Sequence, residues 1–467
     1  MYKTYTIKDC FNKKNKINKI IKINGWIKTK RDSQKKLSFI DLNDGSCIQS
    51  IQIVASNNLQ NYEKEILKLT TGCSINVIGL LTLSKGKKQN IEIYAKVIKV
   101  IGWIKNMEYY PIQAKYHTLQ FLRKIPHLRP RTKIISAITR IRHSLSLIIH
   151  NYFHKKGYFW INAPIITTND CEGSSKMFRV SNLDLLKLPK TMDGKINFKK
   201  DFFEKETFLT VSTQLNTEAY CLSMSKVYTF GPTFRAENSN TSKHLSEFWM
   251  IEPEIAFASL KDICKISKNI ILHLCKKILD EREDELKFLN DFIDTKLINK
   301  LENIIKFGFE IISYTNCIKI LNKSQISFRY PIKWGIDLQT EHERYLTEKI
   351  FKKPIIITNY PKQIKSFYMR LNNDNNTVAA MDMIFPNIGE IIGGGQREER
   401  IEILDNRIQE CGLNKEHYQW YRDLRIYGTV PHAGFGLGFE RLISFITGIY
   451  NVRDVIPFPR TPGNAYY

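Results

Sequence analysis

Acidic residues are in short supply. Asp and Glu number 46 against 71 Lys and Arg, a formal charge of +25 over 467 residues. Such an excess favours a polyanionic partner, met through phosphate contacts and counterion release. A compositional drift toward surface Lys would give the same balance. Paired cysteines are lacking too. The nine Cys are odd in number and scattered, with no C-x-x-C pair and no Cys/His cluster at ligand spacing. That argues against a disulfide framework and structural zinc, and for a reduced compartment. No uninterrupted apolar run approaches the ~18 residues of a membrane span, and the start of the chain lacks a secretory apolar core. The expectation is a soluble cytosolic chain. With 43% hydrophobic residues over this length, it can bury two or three domain cores.

From about residue 17 to 103 apolar and polar residues alternate, as in Ile21, Ile23 and Ile27 or Ile75, Val77 and Leu81. Period two marks half-buried strands. Residues 57–69 read as one short helix between the third and fourth strands. Five strands with a helix after the third form the pattern of an OB-fold barrel, whose usual ligand is single-stranded nucleic acid. In RDSQKKLSFIDLND, Phe39 stands among Lys30, Arg31, Lys35 and Lys36. It is either a base-stacking platform, worth ~1–3 kcal/mol per base, or a filler of the barrel. Residues 106–132 carry Pro111, Pro126 and Pro130 and read as a hinge. Ile135, Ile138, Ile141, Leu145, Ile148 and Phe153 then recur at helical spacing, and Gly157 ends that helix ahead of a short strand.

Residues 228–254 (YTFGPTFRAENSNTSKHLSEFWMIEPE) organise the rest. Apolar β-formers at both ends and Asn, Ser and Thr between them read as two antiparallel strands joined by a long polar loop. Arg235 and Glu237, two apart on the first strand, share a face. Lys243 and His244 come from the loop, and Phe248 opens the second strand. Guanidinium and cations suit phosphates, the ring suits a purine, and the carboxylate suits an exocyclic amine. Taken alone, the same residues could be a solvated ion pair on a hairpin. Upstream, TTNDCEGSSKMF is a polar loop holding Glu172, and FLTVSTQLNTEAY leads a strand into a helix with Gln214 and Glu218 four apart. Downstream, residues 259–330 read as a charged helical insertion. TVAAMDMIFPNIGEIIGGGQREER sets Asp382 and Glu390 about a turn, a carboxylate pair suited to Mg²⁺ with phosphate oxygens. GFGLGFERL lacks the βαβ context and ribose acid of a dinucleotide site.

FRAEN…HLSEF resembles motif 2 of the class II aminoacyl-tRNA synthetases. The helix–strand–Pro unit ending at Pro164 resembles motif 1, and GFGLGFERL, as G-x-G-x-x-R-L, resembles motif 3. The resemblance extends over nearly the whole chain to the asparaginyl-tRNA synthetases. It implies an α+β fold: an antiparallel-sheet class II catalytic domain (133–467), preceded by an N-terminal OB-fold anticodon-binding barrel (1–105) and a hinge (106–132). It implies that ATP is bound by Arg235, Glu237, Lys243, His244, Phe248, Glu390 and Arg441, with Arg235, Arg441 and Glu390 catalytic and Mg²⁺ on Asp382 and Glu390. The amino acid would meet Glu172, Gln214, Glu218, Arg235 and Arg397, and an anticodon base would meet Phe39 and Arg31.

Two departures stand out against the pattern. Ser174, Ser175 and Lys176 replace part of the usual EGAGEMF, and Gly395 stands where relatives usually have Ser. The aspartyl enzymes carry Q-L-x-K-Q, whose Lys grips the substrate carboxylate; Thr217 followed by Glu218 stands here instead, which points to asparagine. The implied activity is ATP-dependent charging of tRNA(Asn) with L-asparagine by a homodimer, with no membrane or DNA partner. The rivals are an aspartyl-tRNA synthetase and a non-catalytic RNA-binding paralogue.

Overall fold

The computed structural model describes residues 2–12, 17–84, 86, 89–173 and 176–467. The chain forms two compact units, Met1–Ala137 and Ile138–Tyr467.

In the first unit β1 (Ile20–Ser33), β2 (Leu37–Asn43), β3 (Ile51–Ser56), β4 (Ser74–Leu83) and β5 (Ile91–Gly102) close into a barrel in the order β1-β2-β3-β5-β4. Only β3 and β5 run parallel. Strand alternation turns Ile21, Ile23, Ile27, Ile40, Leu42, Ile53, Ile75 and Val77 into the barrel, where all are buried; each contributes ~1.5–3 kcal/mol. Phe39 falls between Ile40 and Ser38 and so points the other way. It is half-buried on the outer face, opposite Arg31 in register, with the guanidinium carbon 5.0 Å from the ring centroid. Filling of the barrel is therefore excluded as its role.

The helix expected over residues 57–69 is instead a series of turns with one 3₁₀ turn, Ile66–Lys68. Ser56, Asn57 and Asn58 favour turns, and the Ile66 and Leu67 N–H groups reach back five residues to Asn61 and Tyr62. The Asn61 amide is held by Glu65 (2.5 Å) and by the Ile98 carbonyl (2.9 Å). Tyr62, Ile66 and Leu69 still join the barrel core. The expected hinge, residues 106–132, packs within this unit: Tyr110, Ile112, Leu122 and Arg129 are buried. The Lys28 ammonium donates to the Arg131 carbonyl (2.8 Å), and the Arg131 guanidinium to the Tyr110 hydroxyl (3.2 Å).

The second unit is built on an eight-stranded sheet. Its strands are β6 (Phe159–Trp160), β10 (Lys226–Phe234), β11 (Glu247–Ala256), β12 (Glu310–Ser313), β13 (Ile355–Pro361), β14 (Thr377–Phe385), β15 (Gly389–Gln396) and β16 (His432–Gly438). Three short strands, β7 (Ile166–Thr167), β8 (Arg179–Val180) and β9 (Thr207–Leu209), form a separate sheet. The main order is β12-β13-β14-β15-β16-β11-β10-β6, antiparallel except where β6 and β12 join in parallel at the two edges. Gly157, at φ +79°, ends helix Lys133–Lys155 ahead of β6.

The stretch expected as a helical insertion begins as three helices, Leu260–Glu281, Glu283–Phe292 and Leu297–Phe307. The first opens with a Ser259/Asp262 capping box and lies on β14 through Cys264 and Met381. The stretch then supplies β12 to the sheet itself. No helix among the described residues is long and apolar enough to cross a membrane.

Candidate active site

The β10–β11 hairpin pairs Phe234 with Glu247, which leaves residues 235–246 as the loop. Arg235 and Glu237 thus lie just past the strand expected to carry them. One further ladder bond, from the Arg235 N–H to the Ser246 carbonyl (2.9 Å), fixes where the arginine starts. Arg235, Glu237, Lys243, His244, Phe248, Glu390 and Arg441 all line a single cleft. Its polar groups come from the loop, β15 and helix Phe439–Thr447, and β11 adds the apolar Phe248 and Met250.

The Arg235 guanidinium lies 5.4 Å from the Phe248 ring centroid and donates to Glu172 at 2.7 Å. Its Nε is buried without a hydrogen-bond partner, an unmet donor that calls for an anionic ligand. Arg441 donates to the Glu390 carbonyl at 2.8 Å, which aims it across the cleft. Behind it Glu440 accepts from the Trp249 N–H (2.9 Å) and pairs with Arg142 (2.8 Å). His244 is held down in pKa by burial and by Arg441, and Lys243 chiefly by burial. The sequence-selected nucleotide residues therefore converge.

The period of two that places Phe248 on the ligand face of β11 continues through Met250 to Glu252 and Glu254. Sequence reading passed over both acids; carboxylates in step with Phe248 on an otherwise apolar strand were the available signal. Glu252 accepts from the Thr213 N–H (3.1 Å) and hydroxyl (2.6 Å) and from Ser212, so it orients the start of helix Gln214–Met224. Glu254 takes the Arg397 guanidinium on both oxygens, Nε at 3.2 Å and Nη2 on the other. Burial pushes the Glu254 carboxyl up to about 7, against the pull of Arg397.

Glu218 sits beside this pair, 4.0 Å from Arg397 Nε. Its oxygens accept from Arg425 (2.6 Å), His432 (2.9 Å), Tyr421 (2.7 Å) and Gln214 (3.1 Å). Burial alone would raise its pKa, but Arg425, His432 and Arg397 outweigh it and hold the carboxyl well below the usual range. Gln214, Glu218 and Arg397 are thus brought together. Tyr421 and Arg425, on helix Gln419–Ile426, carried no signal in the sequence, and His432, read there as structural, is a partner of Glu218.

The loop bearing Glu172 is tied down by Asn169 to the His417 carbonyl (2.7 Å) and by the Tyr418 hydroxyl to the Asp170 carbonyl (2.8 Å). Ser174 and Ser175 lie outside the described residues. The Lys176 side chain is exposed, and its carbonyl accepts from the Ala236 N–H at 2.8 Å. The Gly395 departure has a steric reason: a Cβ there would stand 2.5 Å from Met369 Sδ.

Asp382 and Glu390 point at the same place, since a Cβ on Gly393 would come within 3.3 Å of Asp382 Oδ1 and 2.6 Å of Glu390 Oε1. The Lys365 ammonium stands 2.6 Å from the other Asp382 oxygen, Oδ2, and partly offsets the charge of the pair. No group of three or more His, Cys, Asp or Glu with metal-binding geometry occurs among the described residues. Two carboxylates completed by phosphate oxygens fit Mg²⁺, which keeps few protein ligands.

A cleft of arginines and a purine-sized aromatic face on an antiparallel sheet, with an OB barrel in the same chain, defines a class II aminoacyl-tRNA synthetase. Residues 119–462 match the family described as tRNA synthetases class II (D, K and N), and residues 21–101 match the OB-fold nucleic acid binding domain. The chain is 62% identical over 467 residues, 100% of both chains, to the asparagine–tRNA ligase of Legionella pneumophila (strain Lens). It is 55% identical over 462 residues, 99% of both, to that of Xylella fastidiosa (strain Temecula1). The asparaginyl-tRNA synthetase of Pyrococcus horikoshii, solved with asparaginyl-adenylate, superposes with a TM-score of 0.86 at 31% identity over 100% of both chains. The chain belongs to the asparagine–tRNA ligase family.

Proposed function

We propose that the protein activates L-asparagine with ATP to asparaginyl-adenylate and transfers the asparaginyl group to the 3′ end of tRNA(Asn). The observation that carries this reading is the meeting of Arg235, Arg441, Lys243, Phe248 and Glu390 in one cleft. Activation needs no enzyme nucleophile. The asparagine carboxylate attacks the α-phosphate and pyrophosphate leaves, so the site supplies position and charge.

Phe248 stacks on adenine and Glu237 takes its exocyclic amine. Arg235 meets the α-phosphate and the attacking carboxylate. In doing so it releases Glu172 to hold the substrate ammonium. Arg441, with Lys243 or His244, meets the γ-phosphate. Asp382 and Glu390 would hold Mg²⁺, which supplies charge neutralisation between the phosphates.

Discrimination rests on charge. Arg397 donates to the carboxamide oxygen. The Glu218 oxygens already accept from several protein donors, so Glu218 acts on the carboxamide chiefly through its field. Aspartate would bring a second negative charge beside the fixed Glu218 and lacks the NH₂ donor. An aspartate-specific site is disfavoured by Thr217, whose hydroxyl is turned back onto the Thr213 carbonyl at 2.8 Å. Phe39 and Arg31, on the outer face of the barrel, read an anticodon base. The active species is a cytoplasmic homodimer.

Amino-acid-dependent ATP–pyrophosphate exchange, run with asparagine and with aspartate, tests the scheme. Arg235→Ala should lose at least ~100-fold in exchange with an unchanged melting temperature. Glu218→Gln should narrow the asparagine preference by roughly tenfold. Normal exchange in the first variant removes Arg235 from the chemistry, and an unchanged ratio in the second removes Glu218 from specificity.

A further inference from the structure

Glu343 is a carboxylate that the scheme above does not use. It lies on helix Thr340–Arg344, and the next residues, Tyr345–Ile350, wind as a π-helix, a widened turn frequent at functional sites. The helix is firmly placed. His342 is fully buried, its Nδ1 accepts from the Gln339 N–H (3.1 Å) and its Nε2 meets the Tyr330 carbonyl (3.1 Å). The Thr347 hydroxyl donates to the Glu343 carbonyl at 2.7 Å.

The Glu343 side chain itself, half-buried, makes no hydrogen bond or ion pair among the described residues. The turn between β14 and β15 leaves it one neighbour of opposite charge on the loop. A Cβ on Gly389 would stand 3.0 Å from Glu343 Oε2 and 3.2 Å from Lys243 Nζ, so carboxylate and ammonium face one another across that point. Arg441 adds attraction from its helix, and Glu390 and Asp382 add repulsion from β15 and β14. Lys243 lines the nucleotide cleft and also the wide groove beside it, so a flexible ammonium has two places to go.

We propose that Glu343 is a positioning residue for the activation step: it holds the Lys243 ammonium at the phosphate end of the cleft, where pyrophosphate departs. The inference rests on the reading of Lys243 as a phosphate contact. The geometry places Glu343 among Lys243, Arg441, Glu390 and Asp382, too close to the other carboxylates to meet a phosphate itself. An opposite charge there restrains a long side chain that would otherwise sample the groove.

The test is a double-mutant cycle on the full chain, read by pyrophosphate exchange. Glu343→Gln should raise KM for ATP and for pyrophosphate about five- to tenfold, with the KM for asparagine and the melting temperature unchanged. In a Lys243→Ala background the same substitution should add less than about twofold, because the pair acts as a unit. Glu343→Asp should recover part of the loss. Additive effects of the two substitutions, or a Glu343→Gln enzyme with unaltered KM for ATP, would overturn the inference. A Lys243→Ala enzyme with unaltered KM for ATP would overturn the reading of Lys243 beneath it.

Discussion

Arg397 stands between two buried acids whose surroundings push them apart. Glu218 has Arg425, His432 and a tyrosine hydroxyl and stays ionised. Glu254 has Arg397 for its cation, and burial keeps its carboxyl near neutral range, up to about 7. In the unfolded chain both titrate near ~4.3. For Glu254 the folded state therefore binds its proton more tightly, so its contribution to stability falls as pH rises from ~4.3 toward 7. Glu218 has the opposite sign and acts below that window. Glu254→Gln lacks the falling contribution, so the melting temperature of the unmodified protein should drop relative to the variant across that interval. A pH-independent difference between the two would mean that Glu254 is already ionised in the fold.

The site proposed for the carboxamide is assembled by strands rather than by any one motif. β11 presents Glu252 and Glu254, and β16 passes beside it with Gly434 opposite Glu254 in register. A Cβ on Gly434 would stand 2.2 Å from Glu254 Oε1, so this glycine is the space into which the carboxylate folds. Gly434→Ala should displace Glu254, loosen Arg397 and cost ~1–3 kcal/mol of stability, seen in denaturant unfolding together with weaker asparagine binding. Unchanged unfolding would show that the strand relaxes to admit the methyl group. The hairpin illustrates how far pattern carries. The apolar β-formers at either end of residues 228–254 and the turn-favouring Asn, Ser and Thr between them located both strands and the loop, because such preferences are local. They could not settle where the first strand stops, since that depends on the last ladder bond between Arg235 and Ser246.

At the scale of the whole molecule, the proposed function assigns separable steps to the barrel and the sheet. Phe39 and Arg31 stack on the outside of the barrel, whereas the cleft belongs wholly to the second unit. Phe39→Ala should lower kcat/KM for tRNA charging by roughly tenfold or more and leave pyrophosphate exchange untouched. Loss of both activities together would show that Phe39 supports folding rather than RNA.

The chain alone determined its barrel and its class II elements, because alternation, helical spacing and turn residues act over a few positions. It also named cleft residues through two short motifs, Arg235 and Phe248 in one and Arg441 in the other, since each is set by neighbours in sequence. Tertiary structure decided the rest. The Glu218 network draws on Gln214, Tyr421, Arg425 and His432, and no local rule brings residue 218 to residue 425. The face taken by Phe39, the clasp of Glu254 on Arg397 and the approach of Glu343 to Lys243 depend likewise on how distant strands and helices pack. Burial then fixed the charge of each group, and burial is a property of the assembled core.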